Sequence, residues 1–321
     1  MNFPEEPSMS TIRAVTVDNP DSPPALREDL PTPAPGDNQV LVRVRGSSVN
    51  PVDSSIASGM LTQMGVEYDY PVILGRDYAG TVEQVGPGVS RFSPGDQVFG
   101  FLLHANPRAH DGSWAELITV TEDLSIAPAP DGIDLAIAGA APLAGITAMT
   151  LVDALDLSGG EVLLVVGGTG GVGSLAIQLA VQAGARVLAP ALPEDETFLR
   201  DLGVSDVLPR DGDIPQLARE YVPDGVDALL DLVNYAPGTY DAALKSDARV
   251  ASSTGAAGEG PGRTNIMAAP TRENLERVGA LLTNGMLRIP VQATYELAEA
   301  PAALEALTGE HTQGKLAVRI R

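Results

Sequence analysis

The chain has 321 residues, enough for two ordinary domains, with 44% hydrophobic residues and a net charge of −22. Such a charge repels phosphate backbones and anionic lipid, so nucleic acid and membrane are poor partners, and no run is apolar enough to span a bilayer. The absence of cysteine excludes disulfides, thiolate chemistry and any zinc site with cysteine ligands. Residues 1–10 carry neither a positive n-region nor an apolar core, so no signal peptide is expected and they read as a loose tail of a cytoplasmic protein. His104, His110 and His311 are the only histidines and read as solvent-facing loop residues; Lys245 and Lys315 are the only lysines.

In chain order, residues 12–17 alternate like a strand, and 19–36, rich in Pro and Asp, read as loop. Alternation returns over 40–49, 81–85, 98–101 and 115–120, separated by Gly/Pro turns, which predicts a compact all-β, barrel-like unit. Near Asp131 the character changes. Residues 135–155 are Ala-rich and apolar with Pro142 near the middle, predicting one or two buried helices. Strands are expected at 162–166, 186–189, 206–208, 226–231 and 249–252, with helices near 172–183, 194–202, 214–221 and 239–244. Alternating β and α implies an α/β, doubly wound sheet. Residues 255–262 read as a Gly-rich mobile loop. A helix over 271–283, a strand over 291–294, a helix over 297–307 and a strand over 316–320 break the rhythm and are expected to return to the first domain.

The strongest local signal is 161–183. A wholly apolar strand runs into Gly167-Gly168-Thr169-Gly170-Gly171-Val172-Gly173, and then Val172, Leu175, Ala176, Leu179 and Ala183 recur at helical spacing. Gly168, Gly170 and Gly173 fit G-x-G-x-x-G: the first for the tight turn, the second for approach of a pyrophosphate, the third for close packing of helix on strand. The helix N-terminus then faces the anion. Between a buried strand and an amphipathic helix this pattern points to a dinucleotide, with Thr169, Gly171 and Val172 in the same turn; a ligand-free βα turn is the plain alternative.

Further motifs carry a family resemblance. Asn50-Pro51-Val52-Asp53, Leu74-Gly75-Arg76-Asp77-Tyr78-Ala79-Gly80, Gly95-Asp96-Gln97-Val98-Phe99-Gly100, Pro142-Leu143-Ala144-Gly145-Ile146-Thr147-Ala148, the glycine turn and Gln313-Gly314-Lys315 together resemble the medium-chain dehydrogenase/reductase superfamily over nearly the whole chain. Within it they resemble the zinc-independent quinone oxidoreductase, zeta-crystallin-like branch. That resemblance implies a GroES-like, β-rich catalytic domain over residues 1–130 and 266–321, a Rossmann nucleotide-binding domain over 131–265, and a homodimer paired through the Rossmann sheet edge near 248–253 or just beyond. Zinc-dependent relatives carry a cysteine near Asp53 and Gly-His-Glu where this chain has Gly75-Arg76-Asp77, so no zinc is expected. The short-chain Tyr-x-x-x-Lys mechanism fails too, because Asp241 and His311 stand four before the lysines.

Without a metal to polarise a carbonyl, hydride transfer to a quinone or an activated C=C bond is the expected chemistry. An enoyl or alkenal reductase is one alternative, and a non-catalytic nucleotide-binding structural or sensor protein another. By resemblance Asn50 lies near the nicotinamide with Asp53 beside it, and Thr147 contacts the nicotinamide region. Asn50 reads equally as a turn-former before Pro51, and Thr147 as a hydroxyl bonded within its own helix. Tyr78 can reach a substrate oxygen or sit in the core, and Tyr68 and Tyr70 lie in the preceding loop. Val233, Asn234, Ser253 and Thr254 stand at strand ends, where ligands bind in open sheets. Lys315 approaches the cofactor by resemblance or is a solvated strand-edge lysine. For the cofactor, no carboxylate ends the strand at 186–189, which leaves room for the 2′-phosphate of NADPH. Against that stands the cluster Glu194, Asp195, Glu196, which also reads as an ordinary helix first turn. NADPH is favoured over NADH, with Arg210 as the phosphate partner.

Overall fold

The computed structural model describes residues 10–20, 22–103, 112–309 and 311–321. The N-terminal tail through residue 9, His104 and His110 lie outside the described residues. Two apolar centres organise the rest. The first lies between a seven-stranded sheet and a three-stranded sheet built mostly from residues before 129 and after 290. Its long strand Gln39–Ser48 pairs antiparallel with Asp77–Val85, Leu117–Thr121 and the C-terminal strand Lys315–Arg319. That last pairing returns the end of the chain to the first domain.

The second centre surrounds a six-stranded parallel sheet. Its order is Asp206–Pro209, Arg186–Ala191, Val162–Val166, Val226–Asp231, Leu244–Ser252, Arg263–Asn265. Val162–Val166 is apolar on both sides because Leu163 and Val165 feed one core and Leu164 and Val166 the other. Leu163 stands opposite Val187 on one neighbour and Ala228 on the other. Strand order reverses beside this strand, which opens a crevice at the carboxyl ends. Arg263–Asn265 is the open edge, where the expected two-fold pairing would take place.

Several expectations are corrected. Residues 25–31 form an edge strand, Ala25–Pro31, whose charged side chains face solvent and hide the alternation. Pro51–Ala57 is a helix with Pro at its first turn. The helix expected over 239–244 is a single 3₁₀ turn, Asp241–Ala243, running directly into strand Leu244–Ser252. Of the one or two helices expected over 135–155 there are two, Leu135–Ala138 and Pro142–Leu155, the second opened by Pro142. Helix Arg272–Thr283 packs Leu275, Val278 and Leu282 into a cluster that holds residues of the parallel sheet together with Phe99, Phe101 and Ala127 of the first domain, so it lies where the two meet.

The glycine turn works differently from the simple motif. The left-handed residue is Gly167, at φ 87°. A Cβ on Gly168 would meet Ile177 and Ala189, so Gly168 is a packing glycine. A Cβ on Gly173 would lie 2.1 Å from the Gly167 carbonyl oxygen, whereas one on Gly170 would meet nothing nearer than 3.6 Å. Gly173→Ala is therefore expected to cost about 2 kcal/mol of stability, since backbone must move, and Gly170→Ala almost none. Calorimetric melting of both variants checks this; equal losses would refute the division of roles.

Candidate active site

A cavity of about 900 Å³ runs along the crevice between the two domains. One end is walled by Gly167, Thr169, Gly170, Gly171, Val172 and Gly173, the other by Asn50, Arg76, Phe101 and Thr147. Helix Gly171–Gln182 begins at Gly170 with no side-chain cap, so the N–H groups of its first turn have no partner within the helix. Together with the open space at Gly170, this fits a dinucleotide pyrophosphate. Val233, Ser253, Thr254 and Arg210 line the same cavity. Arg210 makes no side-chain hydrogen bond or ion pair among the described residues.

Asn50 is half-way between its two readings. It is the N-cap residue of helix Pro51–Ala57, and the Asp53 carboxylate accepts its backbone N–H at 2.8 Å. Its side chain does not cap that helix. The carboxamide nitrogen donates to Asp77 Oδ2 at 2.9 Å and the oxygen accepts from Lys315 Nζ at 2.6 Å. Thr147 likewise combines two readings: its hydroxyl donates to the Leu143 carbonyl at 2.7 Å, yet the residue lines the cavity.

Asp77 is the residue that motif reading left without a role. It is fully buried and accepts four contacts. Oδ1 takes the Leu143 N–H at 2.7 Å, and Oδ2 takes the Ser48 hydroxyl at 2.6 Å and the Asn50 amide, with the Lys315 ammonium at 3.6 Å. Its signal in sequence was its place directly after the Gly75-Arg76 pair. Lys315 is 4% exposed, so the strand-edge reading is wrong. Burial lowers its pKa against the attraction of Asp77 and Asp53.

Other expectations are overturned. Tyr78 is fully buried in the core of the first domain, and its hydroxyl donates to the Ser125 carbonyl at 2.7 Å, so it cannot reach a substrate. Asn234 donates to both carboxylate oxygens of Asp231 and accepts from Thr254, fastening the strand end without lining the cavity. Gly168 also stays out of the cavity wall, as does Asp53. Of the acidic cluster, Asp195 is buried and accepts from His311 and Gln313 across the cleft at 2.7 and 2.8 Å. That leaves only Glu194 and Glu196 at the surface, and Glu196 bonds Arg200.

Two family models match. Residues 36–131 fit the alcohol dehydrogenase GroES-like domain, and residues 202–318 the zinc-binding dehydrogenase family. The chain is 30% identical over 314 residues to the chloroplast envelope quinone oxidoreductase homolog of Arabidopsis thaliana, covering 90% of this chain and 92% of that one. The chain belongs to the medium-chain dehydrogenase/reductase superfamily, in its quinone oxidoreductase branch. Among solved structures it resembles the quinone oxidoreductase of Coxiella burnetii (TM-score 0.85, 28% identity, 97% of this chain and 100% of that one). It also resembles an alcohol dehydrogenase superfamily protein of Novosphingobium aromaticivorans (TM-score 0.83, 30% identity, 97% and 100%). Its relatives are oxidoreductases, and so is this chain. A nicotinamide dinucleotide fits the crevice.

Zinc, which one family description implies, does not fit the residues present. Arg76 is buried in the cavity wall where zinc-dependent members carry a histidine, and a guanidinium has donors only. No group of three or more His, Cys, Asp or Glu side chains gathers among the described residues. No helix there is long and apolar enough to cross a membrane.

Asp53 offers a test of this polar floor. It is fully buried, Oδ1 has no hydrogen-bond partner among the described residues, and burial pushes its pKa from 3.8 to about 7. Arg76 and the Asn50 N–H pull the other way without winning. Between those two values the native state holds a proton that the unfolded state has lost, so stability falls as pH rises through that window. Asp53→Asn removes the titrating group. Its melting temperature should gain on that of the wild type between about pH 4 and about pH 8. Parallel melting curves would show that Asp53 is ionised throughout.

Proposed function

We propose that this chain is a zinc-independent, NAD(P)H-dependent reductase that passes hydride to a quinone. The observation that carries the reading is that one cavity joins the glycine turn to Asn50, Thr147 and Arg76. A reduced nicotinamide bound there supplies the hydride. The chain's own residues bind and orient. The first-turn N–H groups of helix Gly171–Gln182 take the pyrophosphate. Thr147 donates its hydroxyl hydrogen bond to the Leu143 carbonyl, so towards the cavity its oxygen acts as an acceptor, suited to an amide N–H. Val52, Leu61, Phe101 and Leu143 make the substrate end largely apolar, with Arg76 as its cation. A flat conjugated ring suits such walls, and its own conjugation spreads the arriving charge. The names of the Arabidopsis and Coxiella relatives support a quinone. A cytoplasmic location belongs to the same proposal, on composition alone.

The test is steady-state NADPH oxidation with 1,4-benzoquinone and with methyl vinyl ketone, with and without a chelator. Turnover of the quinone, unchanged by chelation, is expected. Turnover of the enone alone would make the chain an enone reductase. Cofactor binding without turnover of either would favour a sensor.

Arg210 carries the preference for NADPH. It lines the cavity at the end of the third strand with no competing side-chain partner among the described residues, and Asp195, which lines the same cavity, bonds His311 and Gln313. Arg210→Ala should weaken NADPH binding about tenfold, with NADH affinity unchanged and the preference eroded by salt in the wild type. Fluorescence titration of both cofactors decides it: equal NADPH affinity in wild type and variant would remove Arg210 from the site.

A further inference from the structure

Lys315 has no part in the reaction as described, yet it is buried in the cavity wall. Its stem runs over the glycine turn: a Cβ on Gly171 would lie 2.6 Å from Lys315 Cδ. The backbone reinforces this contact. Gly314 donates its N–H to the Thr169 carbonyl at 2.7 Å and forms a bridge with Gly170. At the other end the ammonium meets Asn50 Oδ1 at 2.6 Å, the Val49 carbonyl at 3.1 Å and Asp77 Oδ2 at 3.6 Å. An ammonium has three N–H groups, and here three acceptors surround it. Two of the N–H groups lie within hydrogen-bonding distance of protein oxygens, and the third faces the Asp77 carboxylate as an ion pair.

The consequence falls on Asn50. Lys315 holds its carboxamide oxygen and Asp77 its nitrogen, so the amide has one orientation. We propose that Lys315 is a positioning residue for the reduction, which ties the cofactor-binding turn to Asn50 and fixes the carboxamide at the reacting end of the cavity. This rests on the reductase reading above. It differs from direct cofactor binding, because both hydrogen bonds of the ammonium go to protein oxygens, one of them on Asn50. It differs from a purely structural ion pair, because the group it orients lines the cavity. It also gives Gly171 a reason of its own: any side chain there would collide with the lysine stem.

Removing the lysine alone strands a buried carboxylate and endangers folding. The test therefore uses Lys315→Met together with Lys315→Met/Asp77→Asn, which removes both charges. In the double variant the melting temperature should recover relative to the single variant, and NADPH affinity should stay within about twofold of wild type, while kcat falls about tenfold or more and KM changes less. Recovery of kcat along with stability would make the pair merely structural. Loss of NADPH affinity in proportion to kcat would make the lysine a cofactor ligand. A second readout does not depend on turnover. The side-chain amide of Asn50, assigned in ¹⁵N spectra by its loss in Asn50→Asp, should show two resolved, exchange-protected protons in wild type and lose protection in both lysine variants. If the wild type reduces no quinone or enone but this change is seen, the reductase reading fails and the positioning role stands. An unchanged Asn50 signal overturns the positioning role whatever the activity.

Discussion

The Asp77 carboxylate holds the crevice together. A carboxylate taken out of water is costly unless its lone pairs are met, and here both oxygens are engaged, by Ser48 and Asn50 from one segment, Leu143 from a second and the Lys315 ammonium from a third. One of those contacts crosses between the domains. Helix Pro142–Leu155 starts at Ala141, which has no side chain able to cap it, so its first N–H groups need an outside acceptor. Asp77, on a strand of the first domain, accepts the Leu143 N–H. The anion also sits favourably at the positive end of that helix. The helix packs Leu151, Val152 and Leu155 into the core of the parallel sheet, so its capping sets where the second domain stands relative to the first.

The same few residues explain how a fold shared with zinc enzymes works with a different set of side chains. A metal site needs acceptors that converge on one point. Here the converging groups are a guanidinium, an ammonium, a primary amide and two carboxylates, of which the ammonium, the amide and the Asp77 carboxylate satisfy one another. Arg76 donates to the carbonyls of Ile73 and Leu103, which ties the motif strand to the chain just after strand Gln97–Phe101. A cation held by backbone carbonyls occupies the wall that an imidazole would take in a zinc-dependent member, and the local architecture survives the exchange.

What was legible in the sequence was local. Strand Val162–Val166, its turn and the following helix lie within a short window, so apolar periodicity and glycine spacing revealed them. Pro142 left one helix or two open, and the structure has two. Strand Ala25–Pro31 escaped because its hydrogen-bonding partner decides its state, while its exposed, charged side chains resemble loop. Tyr78 and Asn234 stood in the right motifs, but the direction of a side chain is set by tertiary neighbours: Ser125 for one, Asp231 for the other. Asp77 is the extreme case. Its partners lie 27, 29 and 66 residues away, and Lys315 meets Asn50 across 265 residues. No window of sequence contains that network. Only the return of the last strand to the first sheet assembles it.

That assembly also sets the charge of the reacting end. Two cations, Arg76 and Lys315, and two carboxylates, Asp53 and Asp77, share one small buried region. Asp77 has its partners within reach, whereas among the described residues Asp53 has only the Asn50 N–H hydrogen-bonded to one oxygen and no hydrogen bond on the other. Desolvation therefore acts most on Asp53, and a pKa near 7 leaves it partly protonated at neutral pH. Each proton it holds leaves one positive charge uncompensated. In a chain with a net charge of −22, this buried region is thus less negative than two ionised carboxylates beside Arg76 and Lys315 would make it. Hydride arriving on a conjugated carbonyl leaves negative charge on its oxygen. A fixed positive field in a water-poor cavity stabilises such charge more than bulk water does, because the charges need not reorganise as the reaction proceeds. On the reductase reading, the Asp53 carboxyl, pushed up by burial, offsets Arg76 and Lys315 less than a fully ionised carboxylate would, beside the end of the cavity where the substrate becomes an anion.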